Sequence, residues 1–348
     1  MARVLVTHSY FYRLDPKQWK DARPYPPLGT LQAAAVLREA HEGRPGHDVA
    51  VHDLGLAHGP EELKPALDAH APTIVVIHDD GFNYLTKMCL TVMREACFAL
   101  IALAKARGCL VAVSSSDSTD HYADYLDRGA DAVILGESEQ TLRELTDRWA
   151  DGVPWLDVAG IAFRNGHEVE ANPKRPVLRD LDTLPLPAWD LIDVAPYRAI
   201  WKASQGYFSL NVATTRGCPF KCNWCAKPIY GNRYNSRSPE HVVRELELLR
   251  DRFAPDHLWM CDDIFGLKPG WVQRFRDLVK ARGLQLRYKI QSRADLLLES
   301  DTIAALAESG LQEVWIGAES GSQRILDAMD KGITVEQIAK ARHLLAQH

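Results

Sequence analysis

Cys218, Cys222 and Cys225 lie within eight residues in the run Thr214-Thr215-Arg216-Gly217-Cys218-Pro219-Phe220-Lys221-Cys222-Asn223-Trp224-Cys225. Thiolates are soft ligands that suit zinc or iron–sulfur clusters. Three of them leave one ligand position open, which catalytic metal sites keep and structural sites close. The run follows a strand-like stretch over 209–213. The plain alternatives are a zinc knuckle and three unrelated core thiols. Zinc sites usually pair two C-x2-C-like halves, and no second half exists here. The nearest further thiol, Cys261, falls on an expected buried strand.

The elements that must hold these thiols show as periodic patterns. Strands are expected at 209–213, 257–261, 287–291 and 313–317, with helices after them at 239–253, 271–282, 300–308, 322–330 and 335–348. Ser238-Pro239-Glu240 is a helix start: an N-cap serine, a first-turn proline, then an acidic residue. Such alternation builds a parallel βα barrel, with chemistry on the loops that leave the strand C-termini. The cysteine loop leaves the first strand there. Asp262-Asp263, Arg293 and Glu319-Ser320 end the next three. Helix capping is the plain alternative for the aspartates.

The first 150 residues repeat the alternation, with strands expected at 3–7, 48–53, 73–78, 110–114 and 132–135 and helices at 28–39, 85–107 and 139–149. Short apolar strands between helices form a parallel sheet covered on both faces. Ligands bind at the carboxyl ends of its strands, where His8, Ser115, Ser116, Gly136 and Glu137 fall. Cys89, Cys97 and Cys109 read as core. Residues 151–204 read as a linker. Asn165-Gly166 is a type I′ hairpin signal, and 173–196 is proline-rich and irregular. The expected domains are therefore 1–150, the linker 151–204 and 205–348.

The bulk composition narrows the class. The 348 residues are 46% hydrophobic, with a net charge of −5, as in an ordinary globular protein. No dense basic block marks a nucleic-acid footprint. The longest apolar run, 97–104, is too short to cross a bilayer, and residues 1–8 enter a strand without a signal-peptide core. Seven cysteines, an odd count, suit reduced thiols in a cytoplasm.

The C-x3-C-x2-C spacing, with Trp224 before the last cysteine, resembles the signature of the radical SAM enzymes. The resemblance implies a 4Fe–4S cluster on Cys218, Cys222 and Cys225, with S-adenosylmethionine (SAM) chelating the fourth iron. Trp224 matches the aromatic position of that motif. It implies SAM contacts from Asp262 and Asp263 to the amino group and from Arg293 to the carboxylate. Glu319 and Ser320, in Gly317-Ala318-Glu319-Ser320-Gly321-Ser322, would meet the ribose and methionine parts. The second half would be a partial barrel, incomplete after four strands, with the fourth an open parallel edge.

Residues 1–150 resemble the Rossmann-like cobalamin-binding domain ahead of many radical SAM enzymes. The matching pieces are Pro26-Pro27-Leu28-Gly29-Thr30, Gly46-His47-Asp48-Val49 and the stretch 130–139. Cobalamin would then meet His8, Ser115, Ser116, Gly136 and Glu137. No Asp-x-His-x-x-Gly motif supplies a cobalt ligand, and Ser114-Ser115-Ser116 stands where a glycine pair is usual. Cobalamin without a protein histidine on cobalt is expected.

The implied activity is SAM cleavage to a 5′-deoxyadenosyl radical, then cobalamin-dependent methylation of an unactivated carbon. The alternatives are a radical cyclase or oxidative enzyme of the anaerobic porphyrin-ester cyclase type, and a non-catalytic metal- or cobalamin-binding module. The implied partners are a small-molecule or natural-product substrate and an electron donor such as flavodoxin or ferredoxin. Neither nucleic acid nor membrane is expected, and the setting is cytoplasmic.

Overall fold

Residues 1–81, 90–226 and 229–348 are described by a computed structural model. The chain divides into two units, Met1–Leu178 with Leu184–Gly206, and Arg179–Thr183 with Tyr207–His348. The first unit holds β1 (Arg3–Thr7), β2 (Asp48–Val51), β3 (Ile74–His78), β4 (Leu110–Ser114), β5 (Ala132–Ile134), β6 (Ile161–Asn165) and β7 (Glu168–Ala171). They form one sheet in the order β2-β1-β3-β4-β5-β6-β7. The first five are parallel and the last two antiparallel.

The apolar runs are explained by burial on both faces. Side chains alternate across a strand, so Leu5, Val75, Ile77, Val111 and Val133 enter one core with Leu100 and Ile101 of the helix Thr91–Lys105. Val4, Val6, Ile74, Val76 and Ala112 enter the other, with Ala34 and Leu37 of Leu28–Arg38 and Leu142 and Leu145 of Glu139–Asp151. The start of the helix expected at 85–107, with Cys89, lies outside the described residues.

The boundary falls later than the sequence suggests. The Asn165-Gly166 hairpin extends the first unit's sheet, because β6 pairs with β5. A helix that sequence reading missed, Ala195–Gln205, also belongs there. Its Trp201 Nε1 donates to Pro24 O at 2.7 Å and its Tyr197 hydroxyl to Asp53 at 2.6 Å. Of the expected linker, 179–183 joins the second unit.

That unit holds β8 (Ser209–Val212), β9 (Thr215–Arg216), β10 (Asn235–Ser236), β11 (His257–Met260), β12 (Tyr288–Ser292) and β13 (Leu311–Ile316). Four strands make a parallel sheet in the order β13-β12-β11-β8, with β13 at the edge and half-exposed. The helix Pro239–Phe253 starts where expected, with Ser238 Oγ accepting from His241 N at 3.0 Å. The helix Trp271–Ala281 packs Phe275 edge-on against Tyr288 of β12. Alternation leaves Lys289, Gln291 and Arg293 facing the other way. On that face the Lys289 ammonium lies 4.9 Å and 4.8 Å from the ring centres of Trp259 and Trp315.

Candidate functional site

Thr215–Arg216 and Asn235–Ser236 form a short antiparallel stem that closes the cysteine loop, residues 217–234. Gly217 opens the loop at φ +76°. A Cβ there would lie 2.3 Å from Arg233 O, so only glycine fits. The stem is anchored from beneath. Asp262 Oδ1 accepts from Thr214 N at 2.7 Å and Thr215 N at 2.8 Å, and Oδ2 from the Thr214 hydroxyl at 2.6 Å. Arg237, paired with buried Glu245, donates to Ala213 O at 2.8 Å.

The adjacent aspartates therefore divide the work expected of both. Asp262 is buried and its carboxylate is taken up by the loop's backbone, not turned to a ligand. Burial pushes its pKa up to about 6, against the opposing pull of those hydrogen bonds. Asp263 is exposed and lines a cavity. The physical reason is the period of two at a strand end, which sends neighbours to opposite sides.

The cavity is about 300 Å³ and collects residues from every strand end. The cysteine loop contributes Cys218, Phe220, Cys222, Trp224 and Cys225. Asp263 and Ile264 follow β11, Gln291 and Arg293 come from β12, and Trp315, Gly317 and Glu319 from β13. Ser320 is half-buried beside Glu319 and does not line it. Lys331 does line it, and sequence reading missed it, because it arrives from a turn after the helix Gln323–Ala328 with no motif of its own.

Arg293 is held in a fixed pose. Its Nε and Nη2 donate to the two Asp295 oxygens at 2.9 and 3.1 Å, and its guanidinium lies 3.6 Å from the Phe220 ring centre. Nη1 is buried and has no partner. An orphaned charged donor is costly, and an anionic ligand group in the cavity would satisfy it.

The thiols are competent to hold a soft metal ion or an iron–sulfur cluster. The six described cysteines are free of disulfides. Among the described residues, no three His, Cys, Asp or Glu side chains converge tightly enough for one metal ion. A tetrahedral zinc with Zn–S near 2.3 Å needs its sulfurs about 3.8 Å apart. A cubane gives each thiolate a different iron, so the sulfurs stand apart around a shared face. Cys218, Cys222 and Cys225 share one cavity wall, where a cluster or a single ion would be held.

In the first unit the chain reverses direction between β1 and β3, the switch point where such sheets bind ligands. The residues expected there are internally engaged. His8 is buried with Nε2 2.8 Å from Asp53 Oδ1. Ser115 caps the short helix Ser116–Asp120, its hydroxyl accepting from Ser118 N at 2.9 Å, and Ser116 is buried in that helix. Gly136 turns at φ +86°, and the Glu137 carboxylate accepts from Leu178 N. A void of about 20 Å³ between Ser9, Asp79, Arg94 and Ser115–Asp117 has room for about one water. As placed, these side chains are engaged with neighbours inside the unit.

The second unit is a four-stranded parallel sheet with three thiols on its first strand-end loop, beside a cavity that collects charged residues from the other strand ends. Residues 212–348 match the radical SAM superfamily model. It is 32% identical over 208 residues to an uncharacterized methyltransferase of Pyrococcus horikoshii, covering 60% of this chain and 44% of that one. It is 25% identical over 329 residues to the anaerobic magnesium-protoporphyrin IX monomethyl ester cyclase of Synechocystis, covering 93% of this chain and 62% of that one. The cobalamin-dependent S-adenosylmethionine radical enzyme OxsB, with aqua-cobalamin bound, superposes with a TM-score of 0.78 at 21% identity, over 99% of this chain and 48% of OxsB. The chain thus spans about half the length of such relatives. At that identity the likeness establishes the fold, including the order of the two units.

Proposed function

We propose that this protein is a radical SAM enzyme that methylates an unactivated carbon. It would hold a 4Fe–4S cluster on Cys218, Cys222 and Cys225, S-adenosylmethionine in the adjoining cavity and cobalamin on the first unit. The observation that carries this reading is one cavity bordered by three thiols of a single loop and by the orphaned Nη1 of Arg293. When bound, the cluster and SAM together supply a radical able to abstract hydrogen from carbon, and cobalamin supplies a methyl group.

The chain's own residues bind and orient. Arg293, fixed by Asp295 and stacked on Phe220, offers Nη1 to the SAM carboxylate, a charge-assisted contact. Asp263 faces the ammonium. Trp224, Phe220, Trp315 and Ile264 would give the bound group apolar walls. The substrate would be a small molecule, the electron donor a flavodoxin or ferredoxin, and the setting a reducing cytoplasm. No helix among the described residues is long and apolar enough to cross a membrane.

A second reading is radical cyclisation or oxidation. The cyclase match over 93% of the chain supports it, whereas methyltransferase relatives support methylation. Anaerobic reconstitution with iron, sulfide and cobalamin, then reduction with methyl-labelled SAM, separates them. Release of 5′-deoxyadenosine with label transfer to candidate substrates is expected. 5′-Deoxyadenosine without methyl transfer favours the second reading. Tight zinc and no cluster would end both.

A further inference from the structure

Lys331 and Glu319 bring two structural costs to one wall of the cavity. Lys331 is 7% exposed, and lysine is almost never so buried unless paired. Its Nζ donates to Glu319 Oε1 at 2.9 Å. Glu319 holds a left-handed backbone, φ +59°, which strains a non-glycine residue. Strain of this kind gathers at ligand clamps. The end of β13 is shaped around the pair. A Cβ at Gly317 would lie 2.9 Å from Lys331 Nζ and 3.2 Å from Glu319 Oε1.

The turn that delivers Lys331 is tied to the rest of the site. Asn223, between Cys222 and Cys225, donates its backbone N–H to Met329 O at 3.1 Å and its side-chain amide to Ala328 O at 2.6 Å. Arg293 Nη2 reaches Gly332 O at 3.4 Å. Residues 328–332 thus touch the thiol loop and the end of β12, and reach the end of β13 through Lys331. The pair joins a buried ammonium to a carboxylate that remains open to the cavity.

We propose that Lys331 is a positioning residue for the ligand of this cavity. It holds the Glu319 carboxylate at the wall where that group accepts from the polar groups of a sulfonium nucleoside. The inference rests on reading the cavity as the SAM site. Lys331 acts through Glu319 and need not touch the ligand.

The test is equilibrium dialysis of SAM against anaerobically reconstituted chain, with iron content measured in parallel. Lys331→Met should weaken SAM binding about tenfold, the loss of one charge-assisted contact, with iron content unchanged. Lys331→Arg should recover most of the affinity. Glu319→Gln should weaken binding too, and the double variant should be no weaker than Glu319→Gln alone, the non-additivity expected of residues acting in series. Unchanged affinity in Lys331→Met, or additive losses in the double variant, overturns the proposal. Should Lys331→Met fail to fold, Lys331→Gln carries the same comparisons. Wild-type chain with a full cluster and no SAM binding overturns the reading of the cavity itself. Wild-type binding with indifferent variants overturns this inference alone.

Discussion

Replacing Asp262 with alanine isolates the anchor beneath the thiol loop. The carboxylate satisfies two buried backbone N–H groups and one hydroxyl. Alanine orphans both N–H groups, at about 1–3 kcal/mol each, so a loss of about 2–6 kcal/mol in unfolding free energy is expected. The loop start should loosen with it, so iron content after reconstitution should fall although no ligand has changed. The pH dependence has a definite sign. The Asp262 pKa rises from 3.8 in a free carboxyl to about 6 in the fold, so the native state binds its proton more tightly. That contribution is fully present below pH 3.8 and is lost as pH rises through about 6. A shift of about two units corresponds to about 3 kcal/mol. Urea unfolding followed by tryptophan fluorescence at pH 4, 5, 6 and 7, in wild type and Asp262→Ala, measures both effects. In the variant this group's share of the slope should vanish. A variant within about 0.5 kcal/mol of wild type, the scatter of neutral surface changes, with full iron content, would refute the anchoring argument.

Three further outcomes are expected. Gly217→Ala meets a left-handed backbone and Arg233 O at 2.3 Å, so it should cost about 1–3 kcal/mol of strain and lower cluster content; a fully loaded variant of wild-type stability counts against the loop geometry. Arg293→Met should weaken SAM binding by about 1.5–3 kcal/mol, the worth of a hydrogen bond to a charged group, while leaving the cluster; dialysis showing no change would mean that Nη1 faces no ligand. Cobalamin bound to the first unit should lack nitrogen hyperfine splitting from a protein imidazole in its cob(II)alamin EPR spectrum. A splitting that His8→Ala abolishes would show that His8 ligates cobalt and overturn this expectation.

Local patterns carried most of the architecture. Apolar runs buried on both faces, the Ser238-Pro239-Glu240 start and the 218, 222, 225 spacing depend on neighbours a few residues apart, so they are legible in one dimension. The same locality misread residues 151–204. Their prolines suggest a linker, yet Trp189, Tyr197 and Trp201 are fully buried, because burial depends on what the segment packs against. At the site, sequence alone placed the thiols, Asp263, Arg293 and Glu319 at successive strand ends. Only the tertiary structure turned Asp262 under the loop, closed the serine loop into a helix cap and brought Lys331 to Glu319. Those outcomes depend on which side of a strand end a carboxylate leaves and on contacts across many residues. Their energies come from desolvation and pairing in three dimensions, and no spacing in the chain encodes them.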